Sequence, residues 1–194
     1  MNICLAEKND ASQIAKIHKE EIKKGFLSSL NNSFLVKFYE AIMDSEYGFC
    51  ILYKQEKTVV GFVSGVTEID SFYKYFLKNY FFSSVFALLS INFNFNIAKK
   101  IVENVFYPKK TKNFPSAELL TMAVKKDFQG RGAGSQLLQK FIEEMKSRQI
   151  KIFKVLVGKK MIAADFYKKN GFELIEEIRL HDNETSLVLA YKIS

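Results

Sequence analysis

The sequence predicts one α/β (α+β) domain, and three observations predict it. Runs with period-two apolar alternation are interleaved with runs carrying an apolar stripe at helical spacing. In the second half a glycine-rich turn joins one such strand to one such helix. The 194 residues suffice for a full core, and 48% apolar with 26% charged residues excludes a disordered chain.

Asn2–Ala6 reads as a first strand, followed by a helix that Asp10 or Ser12 caps. In that helix Ala11, Ile14, Ala15, His18 and Ile22 share a face, and Gly25 ends it. A second helix starts near Asn32 or Ser33, with Phe34, Leu35, Phe38, Tyr39, Ile42 and Met43 as its stripe. Strands at Gly48–Tyr53 and Thr58–Thr67 flank a turn at Gln55–Lys57. An aromatic, helical stretch follows, with Phe81, Phe82, Val85, Phe86 and Leu89 on one face. A further helix is expected over Ile97–Phe106 and a basic linker over Lys109–Phe114.

Ala117–Val124 is the fourth strand, followed by the glycine turn and a helix that turns Leu137, Leu138, Phe141, Ile142 and Met145 inward. Ile150–Val157 is apolar enough to lie centrally in a sheet. Met161–Lys169 is a short helix stopped by Asn170–Gly171. Phe172, Leu174, Ile178 and Leu180 share one face of the next strand; Leu187, Leu189, Tyr191 and Ile193 share one face of the last. Asp182–Glu184 turns the chain between them.

The net charge of +8 attracts anions in general and does not choose among nucleic acid, lipid and a phosphorylated cofactor. Lys and Arg are spread along the chain, so no nucleic-acid partner is expected. Cys4 and Cys50 sit in apolar runs without a C-x-x-C, so no metal is expected. Met1–Asp10 lacks a signal-peptide pattern. Asn79–Ala98 is uncharged, but its Asn and Ser content makes it a poor spanning helix. A cytoplasmic protein without a transmembrane segment is expected.

The chemistry concentrates in Val124-Lys-Lys-Asp-Phe-Gln-Gly-Arg-Gly-Ala-Gly134. Alternate glycines between a strand and a helix let backbone approach a ligand closely. The helix start offers unpaired N–H groups and the positive end of its dipole, which suits phosphate, and Arg131 adds charge. The Gly-Lys-Ser/Thr ending of a nucleotide P-loop is missing, and neither Gly130 nor Gly132 starts a G-x-G-x-x-G fingerprint.

What fits is Q-x-x-G-x-G, met by Gln129, Gly132 and Gly134, together with Ala163-x-x-Phe166-Tyr167-x-x-x-Gly171-Phe172 downstream. On these two motifs and the element order, the sequence resembles the GNAT superfamily of acyl-CoA-dependent N-acyltransferases. The resemblance implies a single GNAT domain over 1–194 with a central mixed, mostly antiparallel sheet of about seven strands flanked by helices. A helical insertion, about 69–114, falls between the third and fourth strands. It is expected to cap the sheet, form a homodimer surface, or wall the acceptor pocket.

The resemblance also implies acetyl-CoA as cosubstrate, with its pantetheine arm in a V-shaped opening beside the fourth strand. Met122, Ala123 and Val124 would border that arm, a backbone N–H near Val124 holding the acetyl carbonyl. Backbone amides of Gln129, Gly130, Arg131, Gly132, Ala133, Gly134 and Ser135 would cradle the pyrophosphate. The family often has Asn three residues before Ala163; here Lys160 stands there, leaving that job to its cation or to Tyr167. Tyr167 would be the general acid toward the departing thiolate. Glu118 matches a base of histone acetyltransferases in the superfamily. The loop after the first helix borders the acceptor in this fold, making His18, Phe26 and Ser28 candidate substrate contacts.

The acceptor expected is a primary amine of a small molecule such as an amino sugar. Protein acetylation at a lysine or N-terminus, a silent acyl-CoA-binding module, and a basic surface binder are the alternatives.

Overall fold

The computed structural model describes residues 2–89, 114–179 and 185–193. In chain order these form β1 (Asn2–Leu5), α1 (Ala11–Glu21), α2 (Phe26–Ser29), α3 (Asn32–Asp44), β2 (Gly48–Gln55), β3 (Thr58–Val66) and α4 (Ile69–Leu89). After the undescribed stretch come β4 (Glu118–Val124), α5 (Ala133–Ser147), β5 (Ile152–Gly158), α6 (Ile162–Lys169), β6 (Glu173–Arg179) and β7 (Thr185–Lys192). The expected helix at 97–106, the linker up to residue 113 and the turn at 182–184 lie outside the described residues, as do the side chains assigned to the aromatic face of α4.

The strands build one seven-stranded sheet in the order β1-β2-β3-β4-β5-β7-β6, in which only β4 and β5 run parallel. Against one face pack α1, α3 and α4, where Ile14, Ala15, Leu35, Tyr39, Ile42, Phe62 and Phe72 are sealed from solvent. Against the other pack α5 and α6, through Leu137, Phe141, Met145, Phe153, Tyr167 and Leu189. The stripes read from the sequence for α1, α3 and α5 are the faces they bury.

Two local expectations need correction. Neither Asp10 nor Ser12 caps α1: Asp10 sits at its N-cap but makes no side-chain cap bond. Its Oδ2 instead accepts from Glu7 N (3.0 Å), closing the preceding 3-10 turn, while Oδ1 accepts from Lys54 (3.1 Å). In β6, a bulge between Leu174 and Glu176 breaks the alternation: Leu174 pairs with Leu189 but Ile178 with Ser186, so the two lie on opposite faces, and on this edge strand Leu174 is 49% exposed.

The feature that shapes the centre of the sheet is a second bulge. Ser64 faces Thr121 and Gly65 faces Leu119, so Leu120 has no partner on β3. The extra residue turns β4. On its other side β4 pairs with β5 only at Glu118–Lys154 and Leu119–Val155, with Lys154 N donating to Ala117 O (2.9 Å). Past Leu119 the two strands separate, while β3 continues to pair with β4 up to Val124 and β7 with β5 up to Gly158. The sheet is thus split at its middle, with two strand edges facing the gap.

Candidate active site

At the far end of the split lies the glycine turn. From Val124 the chain passes through a 3-10 turn (Lys126–Phe128), and Gly130 and Gly132 then take φ of +70° and +81°. A β-carbon on Gly130 would meet nothing within 4 Å, and one on Gly132 only Gln136 Nε2 at 3.7 Å. The glycines are therefore required by left-handed backbone, not by crowding, and the space over them is open. Gly132 is the N-cap of α5 and supplies no side-chain bond. The first helical bond there runs from Gln136 N to Gly132 O (3.0 Å), so the N–H groups of Ala133, Gly134 and Ser135 precede the intrahelical ladder. An uncapped helix start beside open space suits an anion by both geometry and dipole.

Gln129 has a different task from its glycine neighbours. Its Nε2 donates to Val124 O (2.7 Å) and to Glu21 Oε2 (3.3 Å), while Glu21 Oε1 accepts from Lys126 N (3.1 Å). The side chain ties the turn back to the end of β4 and to the end of α1. Its own N–H donates to Lys126 O (3.2 Å), so the free amides begin after Gln129. Arg131 and Ser135 are exposed beside the turn; Met122 is half-buried, and Ala123 and Val124 are buried. Lys160, exposed just before α6, forms no ion pair among the described residues.

The two sequence motifs meet in space. A β-carbon on Gly134 would lie 3.6 Å from Phe166 Cε2, so α6 packs against the first turn of α5. Next to Phe166, Tyr167 is buried against Phe166 and Phe172, with ring centroids 5.4 and 5.1 Å away. Burial pushes its phenol well above the usual range, so it stays protonated at neutral pH. Its hydroxyl has no hydrogen bond among the described residues, which leaves the proton available.

Glu118 lies where β4 and β5 are still joined. Its Oε2 is 3.2 Å from Lys154 Nζ but off the line of a hydrogen bond, and both side chains are buried. Lys154 donates to Pro115 O. Burial raises the Glu118 carboxyl above its usual range and the lysine opposes that rise.

On the opposite face of the sheet from Tyr167, His18 is 1% exposed. Its Nδ1 is 2.6 Å from Tyr39 Oη and its Nε2 3.2 Å from Ser28 Oγ. Tyr39 Oη lies 3.0 Å from Thr121 Oγ1, which lies 2.6 Å from Ser64 Oγ. Ser28 thus joins His18, as the sequence grouped them; the Phe26 side chain is outside the described residues. Tyr39, Thr121 and Ser64 were missed as site residues because each falls in an apolar stripe or strand. The available signal was chemical: a hydroxyl in a buried stripe must find a partner.

Among the described residues no group of three His, Cys, Asp or Glu side chains could hold a metal ion, and no helix is long and apolar enough to cross a membrane.

Comparison with known proteins bears on this geometry. Residues 93–174 match the family model of the acetyltransferase (GNAT) domain. No curated protein sequence matches the chain. Among solved structures it is similar to the ribosomal-protein-S18-alanine N-acetyltransferase from Escherichia coli, at 16% identity and TM-score 0.64, over 100% of this chain and 94% of that one. It is also similar to an aminoglycoside 6'-N-acetyltransferase complexed with coenzyme A (10% identity, TM-score 0.65, covering 100% and 98%). A third is the PaiA N-acetyltransferase from Thermoplasma acidophilum in complex with coenzyme A (14%, TM-score 0.58, 99% of each chain). At these identities the likeness concerns the fold. The segment matching the acetyltransferase (GNAT) domain spans β4, the glycine turn, α5, β5 and α6, the elements that carry both sequence motifs.

Proposed function

We propose that this protein transfers an acetyl group from acetyl-CoA to a primary amine of a small molecule such as an amino sugar. The observation that carries the donor half is the split between β4 and β5 leading to the uncapped start of α5. Two unpaired strand edges suit an extended, amide-bearing arm. The amides from Gly130 to Ser135 suit a pyrophosphate, with Arg131 and Lys160 as exposed cations at the rim. A backbone N–H near Val124, aimed at the thioester oxygen, would stabilise the charge that develops there by a few kcal/mol.

Tyr167 is the proposed acid. Its phenol is protonated and has no hydrogen bond among the described residues, and its neighbour Phe166 packs on the start of α5. A thiolate leaving the tetrahedral intermediate takes the proton, or a strong hydrogen bond, from Oη.

For the base, the sequence-level expectation was Glu118. Its carboxylate is buried against Lys154 where β4 and β5 are still joined, before the split opens. We therefore assign Glu118 the part of a fixed charge that holds β4 to β5 where the split begins. The amine's proton leaves by another route.

For the acceptor, similarity to an aminoglycoside 6'-N-acetyltransferase supports the small-molecule reading, and similarity to a ribosomal-protein-alanine acetyltransferase supports a protein N-terminus as the alternative. Release of CoA thiol from acetyl-CoA, measured over a panel of amino sugars, polyamines and peptides, decides between them. Turnover restricted to peptides would sink the small-molecule assignment. Thermal stabilisation by acetyl-CoA with no turnover on any amine would leave a binding module instead.

A further inference from the structure

An ammonium cannot attack a thioester until it loses a proton, and an alkyl amine holds that proton up to a pH of about 10.4. Glu118 is engaged with Lys154. On the α1/α3 face, however, a continuous line of hydroxyl and imidazole groups crosses the apolar layer. From the sheet outward it runs Thr121 Oγ1, Tyr39 Oη (3.0 Å), His18 Nδ1 (2.6 Å), then His18 Nε2 to Ser28 Oγ (3.2 Å). Its two ends, Thr121 and Ser28, are partly exposed, whereas Tyr39 and His18 between them are sealed at 0% and 1%. Thr121 follows the bulge at Leu120, on the stretch of β4 that has left β5.

Packing alone does not call for this line. Tyr39 is surrounded by the rings of Phe38 and Phe62 at 5.7 and 5.4 Å, a site that a phenylalanine would fill without any buried polar atom. Every member can both donate and accept, so the bonds can all point outward or all point inward. Burial, reinforced by Lys19, lowers His18 to about 4 and keeps its ring neutral, with one donor and one acceptor nitrogen. The other titratable groups here are Tyr39 itself and Cys50 beside it, both raised by burial; Lys19 Nζ is bound to the carbonyls of Ser28 and Leu30.

We propose that Thr121, Tyr39, His18 and Ser28 form a proton relay that carries the acceptor ammonium's proton from the split in the sheet to solvent. The relay rests on the acetyltransferase reading above and names its deprotonation route. An N–H bond of the ammonium breaks, and its electron pair stays on nitrogen as the nucleophile. Thr121 Oγ1 takes the proton and passes its own to Tyr39 Oη. Tyr39 passes its hydrogen to His18 Nδ1, His18 passes that of Nε2 to Ser28 Oγ, and Ser28 releases one proton to water. Each group ends with the hydrogens it began with, and His18 has changed tautomer. Thr121 meets the substrate; Tyr39 and His18 are positioning residues that act through it.

The test is the pH dependence of kcat/KM, from pH 6 to 10, for the alkyl amine that the panel shows to be acetylated. Wild type is compared with Tyr39→Phe, His18→Gln and the isosteric Thr121→Val, with acetyl-CoA binding and thermal unfolding measured alongside. The relay predicts unchanged acetyl-CoA affinity and a loss of about 10²-fold at pH 7, the usual worth of one proton-transfer group. The loss shrinks about tenfold per pH unit as water deprotonates the amine unaided. Thr121→Val keeps the shape of β4 and carries the test if Tyr39→Phe unfolds. A loss constant across pH, or none, in the folded variants overturns the relay and leaves the acetyltransferase standing. A wild-type protein that neither binds acetyl-CoA nor acetylates any amine overturns both.

Discussion

On the α5/α6 face, the polar groups of the candidate site are backbone amides placed by one turn, from Gly130 to Ser135, within a few residues of each other. On the α1/α3 face they are side chains gathered from α1, α2, α3, β3 and β4. Amides at a helix start recognise a phosphate by geometry that any residue without bulk can supply. A line of hydroxyls and an imidazole works only if each member has the right atoms at the right distance. On the proposed acetyltransferase reading, the α5/α6 side should therefore be sensitive to backbone conformation and charge, and the α1/α3 side to the loss of single polar atoms.

The largest effect is expected from Gly132→Asp. It places a side chain at φ +81° and a negative charge where the phosphates would lie, so acetyl-CoA should no longer raise the melting temperature. Retained stabilisation would remove the α5 start from the cofactor site. Tyr167→Phe comes next, with kcat reduced by about 10²- to 10³-fold and little change in acetyl-CoA affinity. Equal losses in both would make Tyr167 a packing residue.

A third effect concerns stability. The neutral His18 has its folded value lowered from 6.5 to about 4, so between those values the unfolded chain binds more protons than the native one. Its contribution is complete above pH 6.5 and is lost as pH falls toward 4, by about 3 kcal/mol at most. Urea unfolding at pH 7 and pH 4.5 should show that decline, and His18→Gln should flatten it. An unchanged slope in the variant would mean that His18 is not buried as a neutral ring. The smallest effect belongs to Gln129→Ala. Losing the bond to Val124 O should cost about 1 kcal/mol and weaken acetyl-CoA binding modestly, with kcat intact.

The strands and helices of the described residues follow the apolar periodicity closely, because each amphipathic face meets the sheet that its pattern calls for. Departures have local causes. The bulge at Ile175 puts Ile178 on the opposite face from Leu174, and Asp10 is drawn away from α1 by Glu7 and Lys54. His18 and Ser28 were legible as a pair around the end of the first helix, but Tyr39 and Thr121, their partners, were hidden in apolar surroundings. Glu118 was legible as a carboxylate on β4; its pairing with Lys154 was not, because that depends on which strand lies alongside.

By itself the sequence carried the two motifs on which the proposed donor site rests. Gly130, Gly132 and Gly134 before an amphipathic helix, and Ala163–Phe172 after it, are local statements about backbone conformation, and local statements survive in a string of residues. Only the tertiary structure decided where β4 leaves β5, what Gln129 holds, and which hydroxyls line up between Thr121 and Ser28. Those depend on strand register, on the unpaired Leu120, and on helices packed from distant parts of the chain. No periodicity records the distance between side chains 82 residues apart, which is the separation of Tyr39 from Thr121.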